Sequence, residues 1–486
     1  MTPRIPEADD VQALAESGFS SLTAACFLLL RVRDAAAART WLRTAPVTTA
    51  AALRQYLPTA LQVALSAPGL RALGMPEQVL AGFSAEFLSG MADDPARSRR
   101  LGDVGANAPQ GWAWGGEHVP DVLVALYAEA DGLAALRDQI VTTDFAAAFA
   151  IIAELPTSDM DNHEPFGFAD GISQPEFDFA GRRRPGTDAD LAYGNQLVAG
   201  ELLLGYPNEY GRITDRPLLD PGLPGAAVLP SAADDAGRRD LGRNGTYLVF
   251  RQLAQDVQAF WRFAAAHGDA VTLAEAMVGR HRSGEPLLPL STAPMRGVGP
   301  DENDVRQNRF TYAADPDGRV CPLGAHVRRS NPRTGDMPGG VQSWLAQGIR
   351  MLGFAGGDDL RDDMIASSRF HRILRRGREY GRTLPPEQAA LPDAPPLAET
   401  GLHFICLNAD IERQFEFIQN AWLGNAKFDG LTGEADPLLG NREAFPAGQA
   451  TDGFGRLSGL PRFVTVRGGA YFFLPGLRAL RFIAGV

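Results

Sequence analysis

One arrangement of apolar and polar residues recurs four times along the chain. A short apolar run is followed by a junction Asp and then by a segment with helical spacing. The first run is Cys26-Phe-Leu-Leu-Leu-Arg-Val-Arg33, with Asp34 and an Ala-rich stretch to Leu42. The second is Asp121-Val-Leu-Val-Ala-Leu-Tyr127, with Asp131 and a helix to about Ile140. The third is Thr246-Tyr-Leu-Val-Phe250, with a helix through Asp256, Phe260 and Phe263. The fourth is Leu402-His-Phe-Ile-Cys-Leu407, with a helix from about Asp410 to Trp422. Short runs rich in β-branched and aromatic residues favour strands. An Asp at the junction caps the first helical turn. In the last helix Ile411, Phe415, Ile418 and Trp422 fall on one face, the stripe of a helix packed on a sheet.

Two of these units lie in each half of the chain, and a βαββαβ domain contains two. The pattern therefore predicts an α+β protein of two like domains, residues 1–215 and 246–486. The stretch 216–245 is rich in Pro, Gly and charge and reads as a linker or excursion. Loops between the units are long, and such loops usually carry function or irregular packing.

Composition narrows the function classes. The chain has 486 residues, 45% hydrophobic and 21% charged, an ordinary balance for a soluble protein. That length suggests about three domains, or two large ones. A formal net charge of −12 argues against a nucleic-acid partner. Three distant cysteines, Cys26, Cys321 and Cys406, read as buried thiols of a reducing compartment. With no CxxC pair and seven scattered histidines, a zinc site is not expected. The first residues show no basic and apolar leader pattern, and the longest apolar run, Ala24–Leu30, is too short to span a bilayer. The expectation is a cytoplasmic protein without a membrane partner. The oligomeric state stays open, a homodimer included.

Two stretches carry the chemistry. Phe166-Gly-Phe-Ala-Asp170-Gly-Ile-Ser-Gln-Pro175 sets one carboxylate between glycines and beside aromatics. Glycine allows backbone to approach a ligand closely, although Asp-Gly is also a common turn dipeptide. Cys321-Pro-Leu-Gly-Ala-His326-Val-Arg328-Arg-Ser-Asn-Pro-Arg333 sets one His before three arginines. One imidazole, a cluster of cations and a distant Asp in an apolar loop fit a haem, whose iron takes the His and whose propionates need positive partners.

Together these residues resemble the dye-decolorizing peroxidase family. The ordered set is GFADG at 167–171, then His326 with Arg328, then Arg375 in Ile373-Leu-Arg-Arg-Gly-Arg-Glu-Tyr-Gly381, with Val466–Pro475 also similar. The likeness runs from about Asp10 onward, and length and motif wording are closest to the larger bacterial members. It implies two ferredoxin-like domains with antiparallel sheets and one haem b between them. It implies a peroxidase that reduces hydrogen peroxide and oxidises dyes, phenols and other small aromatic donors in one-electron steps. His326 would be the iron ligand, with Arg328 facing the same way on a strand. A carboxylate, Asp436 or else Asp410, would accept the other imidazole N–H. Asp170 and Arg375 would form the distal pair, with Gly171, Ile172 and Ser173 beside the cofactor and Leu402 and Phe404 lining the distal face. Gly377 stands where another branch of the family has Asn, and an insertion is expected around Gly335–Asp363. Tyr380 reads as an exposed residue on an electron path from bulky donors, and Trp422 as core. The rival readings are a non-catalytic haem carrier or sensor, another haem activity of the same superfamily, and a carboxylate-using hydrolase.

Overall fold

The structure, a computed structural model, describes residues 5–183, 195–290, 307–333, 367–440, 450–451 and 455–485. The expected insertion around 335–363 lies outside the described residues.

Strands β1 (Ala24–Val32), β2 (Thr59–Leu65), β3 (Val122–Ala128) and β4 (Phe149–Pro156) form the first half of the sheet, in the spatial order β2-β3-β1-β4. Helix α1 (Ala35–Thr44) connects β1 to β2, and α2 (Leu133–Ile140) and α3 (Thr143–Ala148) connect β3 to β4. The second half repeats the plan. Its strands are β5 (Thr246–Gln255), β6 (Leu374–Arg375), β7 (Arg378–Tyr380), β8 (Gly401–Asn408) and β9 (Val464–Leu474). Their order is β6-β8-β5-β9, with β7 also on β8, and every pairing is antiparallel. Both halves thus have the ferredoxin-like order, the fourth strand beside the first and the third beside the second. They join edge to edge through β9 and β2 at Phe473 and Leu65, giving one nine-stranded sheet.

Local chemistry explains the helix starts. The Asp34 carboxylate accepts the Ala37 N–H, and Asp256 does the same for Ala259 at the start of α4 (Val257–Ala266). The second unit departs from expectation: Gly132, not Asp131, occupies the cap of α2. Both faces of β1 are buried, Cys26, Leu28 and Leu30 on one side and Phe27 and Leu29 on the other. Its unbroken apolar run is the signature of a strand covered on both faces.

The fourth helix is not the regular α-helix that its stripe predicts. Glu412–Glu416 and Ile418–Leu423 are π-helical, with Glu416 N–H bonding Ile411 C=O and Gly424 N–H bonding Gln419 C=O. The wider turn splits the stripe. Ile411 and Phe415 enter the main core, while Ile418 and Trp422 enter a smaller cluster with Leu423 and Phe428. π-helical turns are rare and frequent at functional sites.

Residues 216–245 form a packed excursion. Leu218–Leu219 pairs with Arg239–Asp240, and Leu219, Ala226, Leu229 and Leu241 join the core that also holds Leu480 and Phe482. No described helix is long and apolar enough to cross a membrane.

Candidate active site

A cavity lies on one face of the second half-sheet. Its floor follows strand alternation: Arg251, Leu253 and Gln255 from β5, Leu402 and Phe404 from β8, Val464 and Val466 from β9. Its walls draw on both halves of the chain, from Leu101–Asn107 and Glu164–Ser173 as well as from segments beyond 278.

The Asp170 loop leaves the first half-sheet and packs on the second. Phe166 tilts against Phe260 at 4.4 Å between ring centroids, and Phe168 lies parallel to Trp261. Nearly every backbone polar group from 166 to 170 has a partner. The Phe166 and Phe168 N–H groups donate to the Glu164 carboxylate, both at 3.0 Å. Trp261 donates to Phe166 C=O and Arg282 to Gly167 C=O. Gly167 N–H bonds Glu164 C=O, Ala169 N–H bonds Arg282 C=O, and Asp170 N–H bonds Asn162 C=O. Gly167 and Gly171 take φ of +89° and +81°, which a residue with a side chain rarely adopts.

This loop aims Asp170 into the cavity, where Arg375 Nη1 donates to its Oδ1 at 2.7 Å. Arg375 is held at the backbone, its N–H donating to Gln174 Oε1 at 3.0 Å. Burial works to raise the Asp170 pKa. The Arg375 charge and hydrogen bond, the Gly171 N–H and the His326 ring outweigh it and hold the carboxyl below its ordinary value. Ile172 and Ser173 also line the cavity, and Ser173 Oγ bonds Asn308 at 2.9 Å.

His326 enters from another side. It opens a short helix, α6 (His326–Ser330), which follows α5 (Ala270–Val278), rather than lying on a strand. Its Nδ1 meets Asp436 Oδ2 at 3.0 Å. A carboxylate only accepts, so Nδ1 carries the hydrogen and Nε2 is the ring nitrogen left to bind a metal. Asp436 is fully buried, and its Oδ1 accepts the N–H groups of Leu438 and Leu439. Burial would raise its pKa; the His326 ring, Arg329 and the Leu439 N–H prevail and lower it. The alternative partner, Asp410, is not there. It accepts the Arg413 N–H and pairs with that guanidinium, as a helix cap does.

The helix also corrects the expectation for Arg328. Two residues apart on a helix do not share a face. Arg328 is buried away from the cavity, bonded to Asp315 and Cys321 C=O and set over the Tyr312 ring. Arg329 donates to the carbonyls of Gly324, Trp422, Asn425 and Glu434, and Arg333 to those of Asn308 and Phe310. These arginines staple the segment that carries His326. The cations lining the cavity are instead Arg251, Arg280, Arg372 and Arg375, with His281. Nothing in the text around Arg280 or Arg372 marks them. The one available signal for Glu164 was its place two residues before the Phe-Gly-Phe run.

One further expectation changes. Tyr380 is 8% exposed, not on an open turn. Its ring stacks on His403 at 4.5 Å and its hydroxyl meets Glu399 at 3.2 Å. Gly377 has a steric reason: a Cβ there would stand 2.4 Å from His403 C=O. The expectation for Trp422 as core holds, at 6% exposed.

The donor set fits a haem. An imidazole whose Nδ1 is taken by Asp436 borders a cavity with a largely apolar floor, and several arginines line it, as the carboxylates of a haem would require. Among the described residues no group of three or more His, Cys, Asp or Glu could hold a bare metal ion.

No family model matches the chain. Among similar proteins, dye-decolorizing peroxidase msp1 of Mycetinis scorodonius is 28% identical over 458 residues, covering 88% of this chain and 77% of that protein. Multifunctional dye peroxidase DyP2 of an Amycolatopsis species is 29% identical over 446 residues, covering 87% and 81%. The fold matches the fungal DyP-type peroxidase of Auricularia auricula-judae with a TM-score of 0.72 and 24% identity over 99% of both chains. The imidazole complex of AauDyP matches equally, with a TM-score of 0.72 and 25% identity over 99% of this chain and 100% of that one. In sequence over most of its length, and in fold, this chain is similar to the dye-decolorizing peroxidases.

Proposed function

We propose that the chain is a haem peroxidase that reduces hydrogen peroxide and oxidises dyes, phenols and other small aromatic donors by one-electron steps. The observation that carries this reading is that the Asp170–Arg375 pair faces the same cavity as the His326–Asp436 pair. His326 Nε2 would bind the iron of one haem b. Arg280 and Arg372 would neutralise its propionates, and Ile172, Ser173, Leu402 and Phe404 would contact it. When bound, the haem supplies a redox centre that accepts peroxide and exchanges electrons with donors.

The residues supply the rest. Asp170 is held ionised, so it can take a proton from incoming peroxide and return it to the departing oxygen, letting water leave. Arg375 stays charged and stabilises negative charge on that oxygen. Leu402 and Phe404 keep bulk water from the space beneath the carboxylate. Asp436 fixes the His326 tautomer and strengthens the ring as a donor. A carrier or sensor needs no acid–cation pair above its haem, so this pair favours catalysis. Three buried, unpaired cysteines support residence in the cytoplasm.

The deciding experiment is an absorption spectrum of the purified protein, then peroxide-dependent bleaching of a dye. A Soret band with turnover is expected. A Soret band without turnover would favour the carrier, and no haem binding at all would favour the hydrolase.

A further inference from the structure

Glu164 has no part in the proton transfer described above, yet it is the hub of the distal loop. One carboxylate oxygen accepts the Phe168 N–H at 3.0 Å. The other accepts the Phe166 N–H at 3.0 Å and Gln255 Nε2 at 2.8 Å. Glu164 also closes the loop through its backbone, its N–H bonding Phe168 C=O and its C=O bonding Gly167 N–H. Gln255 belongs to β5, the first strand of the second half-sheet. The Glu164 side chain therefore ties a loop from one half of the chain to the sheet of the other.

We propose that Glu164 is a positioning residue: its carboxylate, anchored by Gln255, fixes the turn that presents Asp170 to peroxide. This rests on the peroxidase reading of the same cavity. Three N–H donors converge on one anion, and hydrogen bonds to charged groups are the stronger kind. Asp170 lies two residues past the last of these contacts, so slack at Phe168 moves the acid directly. An amide at 164 cannot reproduce the arrangement, because its NH2 would face donors. Burial pushes the Glu164 carboxyl up to about 7, against the three hydrogen bonds, and the charge of Asp170 pushes the same way. The charged groups around the loop are Asp170, Arg375 on β6, Arg282 after α5, and Glu379 on β7, itself raised to about 7 by burial.

The test compares Glu164→Gln and Gln255→Ala with the parent holoprotein. Hydrogen–deuterium exchange is followed on the peptide around 162–172, and the reaction with peroxide by stopped flow across pH. Both variants are expected to load haem, to exchange faster in that peptide, and to react with peroxide about ten- to a hundredfold more slowly. Burial places the Glu164 carboxyl near 7, so protonation should weaken the tie as pH falls through that value; the parent's exchange and peroxide rate should therefore change across that range and Glu164→Gln should lose that dependence, a change that simple loosening would not cause. Faster exchange at an unchanged peroxide rate would overturn the positioning role. A slower reaction at unchanged exchange would overturn the proposed mechanism of that role. A parent that does not react with peroxide would sink the peroxidase reading, and exchange would still decide whether Glu164 holds the loop.

Discussion

Arg375 Nη1 lies 2.7 Å from Asp170 Oδ1, and each side chain keeps about a third of its surface open to the same cavity, 32% and 31%. The pair is thus both coupled and accessible to a small reactant. Asp170→Asn removes the base and Arg375→Leu the charge. General acid–base groups contribute about 10²–10⁴-fold to rate, so stopped-flow measurement should show a large slowing in both with haem still bound. The pH profiles should separate them. Arg375 lowers the Asp170 pKa, so its loss lets that pKa climb, and the acid limb of Arg375→Leu should move to higher pH. Parent-like rates in both variants would refute the distal assignment.

His326→Ala should lose most of its haem. Among the other histidines, His403 is buried on Pro156 C=O and His371 is stacked on Phe417 at 3.6 Å, while His281, which also lines the cavity, is bonded to Glu275 at 2.7 Å. The readout is haem content per chain after purification, and a normal content with normal turnover would remove His326 as ligand.

Asp436→Asn should leave the fold intact and weaken the imidazole as a donor. The ferric/ferrous potential should rise, which potentiometric titration reads directly. Asp410→Asn serves as the control, since its carboxylate caps a helix far from His326 in bonding; an equal rise there would contradict the assignment.

His403 provides an acid-stability prediction. Burial lowers its pKa from 6.5 to about 4. The unfolded chain therefore binds a proton that the folded chain does not, and stability is lost as pH falls from about 6.5 toward 4. A shift of that size corresponds to roughly 3 kcal/mol at most. Denaturant midpoints of His403→Gln should fall less steeply than the parent's across that window.

The strands legible in the sequence were the first and third of each half, because each is a largely buried apolar run with a helix behind it. The second and fourth strands were hidden for separate reasons. β4 is an edge strand in which Phe149 alone is buried and the other residues are half-buried or exposed. β6 and β7 are two and three residues long. β9 carries a bulge between Val466 and Gly468, where the indole of Trp114 occupies the space a Cβ would need. Motif order located Asp170, His326 and Arg375, and they do meet at one cavity. What spacing could not reveal was direction. His326 begins a helix, so Arg328 turns inward, and the cations bordering the cavity come from positions without a motif.

The Asp170 loop precedes in sequence every strand it is fastened to. A growing chain exposes Asp170 on the ribosome before β5, with its Gln255, has been made, and the cavity floor is complete only when Val464 and Val466 of β9 have been added. Haem capture must therefore follow synthesis of nearly the whole sheet. A chain cut short before β9 would present His326 but lack the part of the cavity floor that Val464 and Val466 supply.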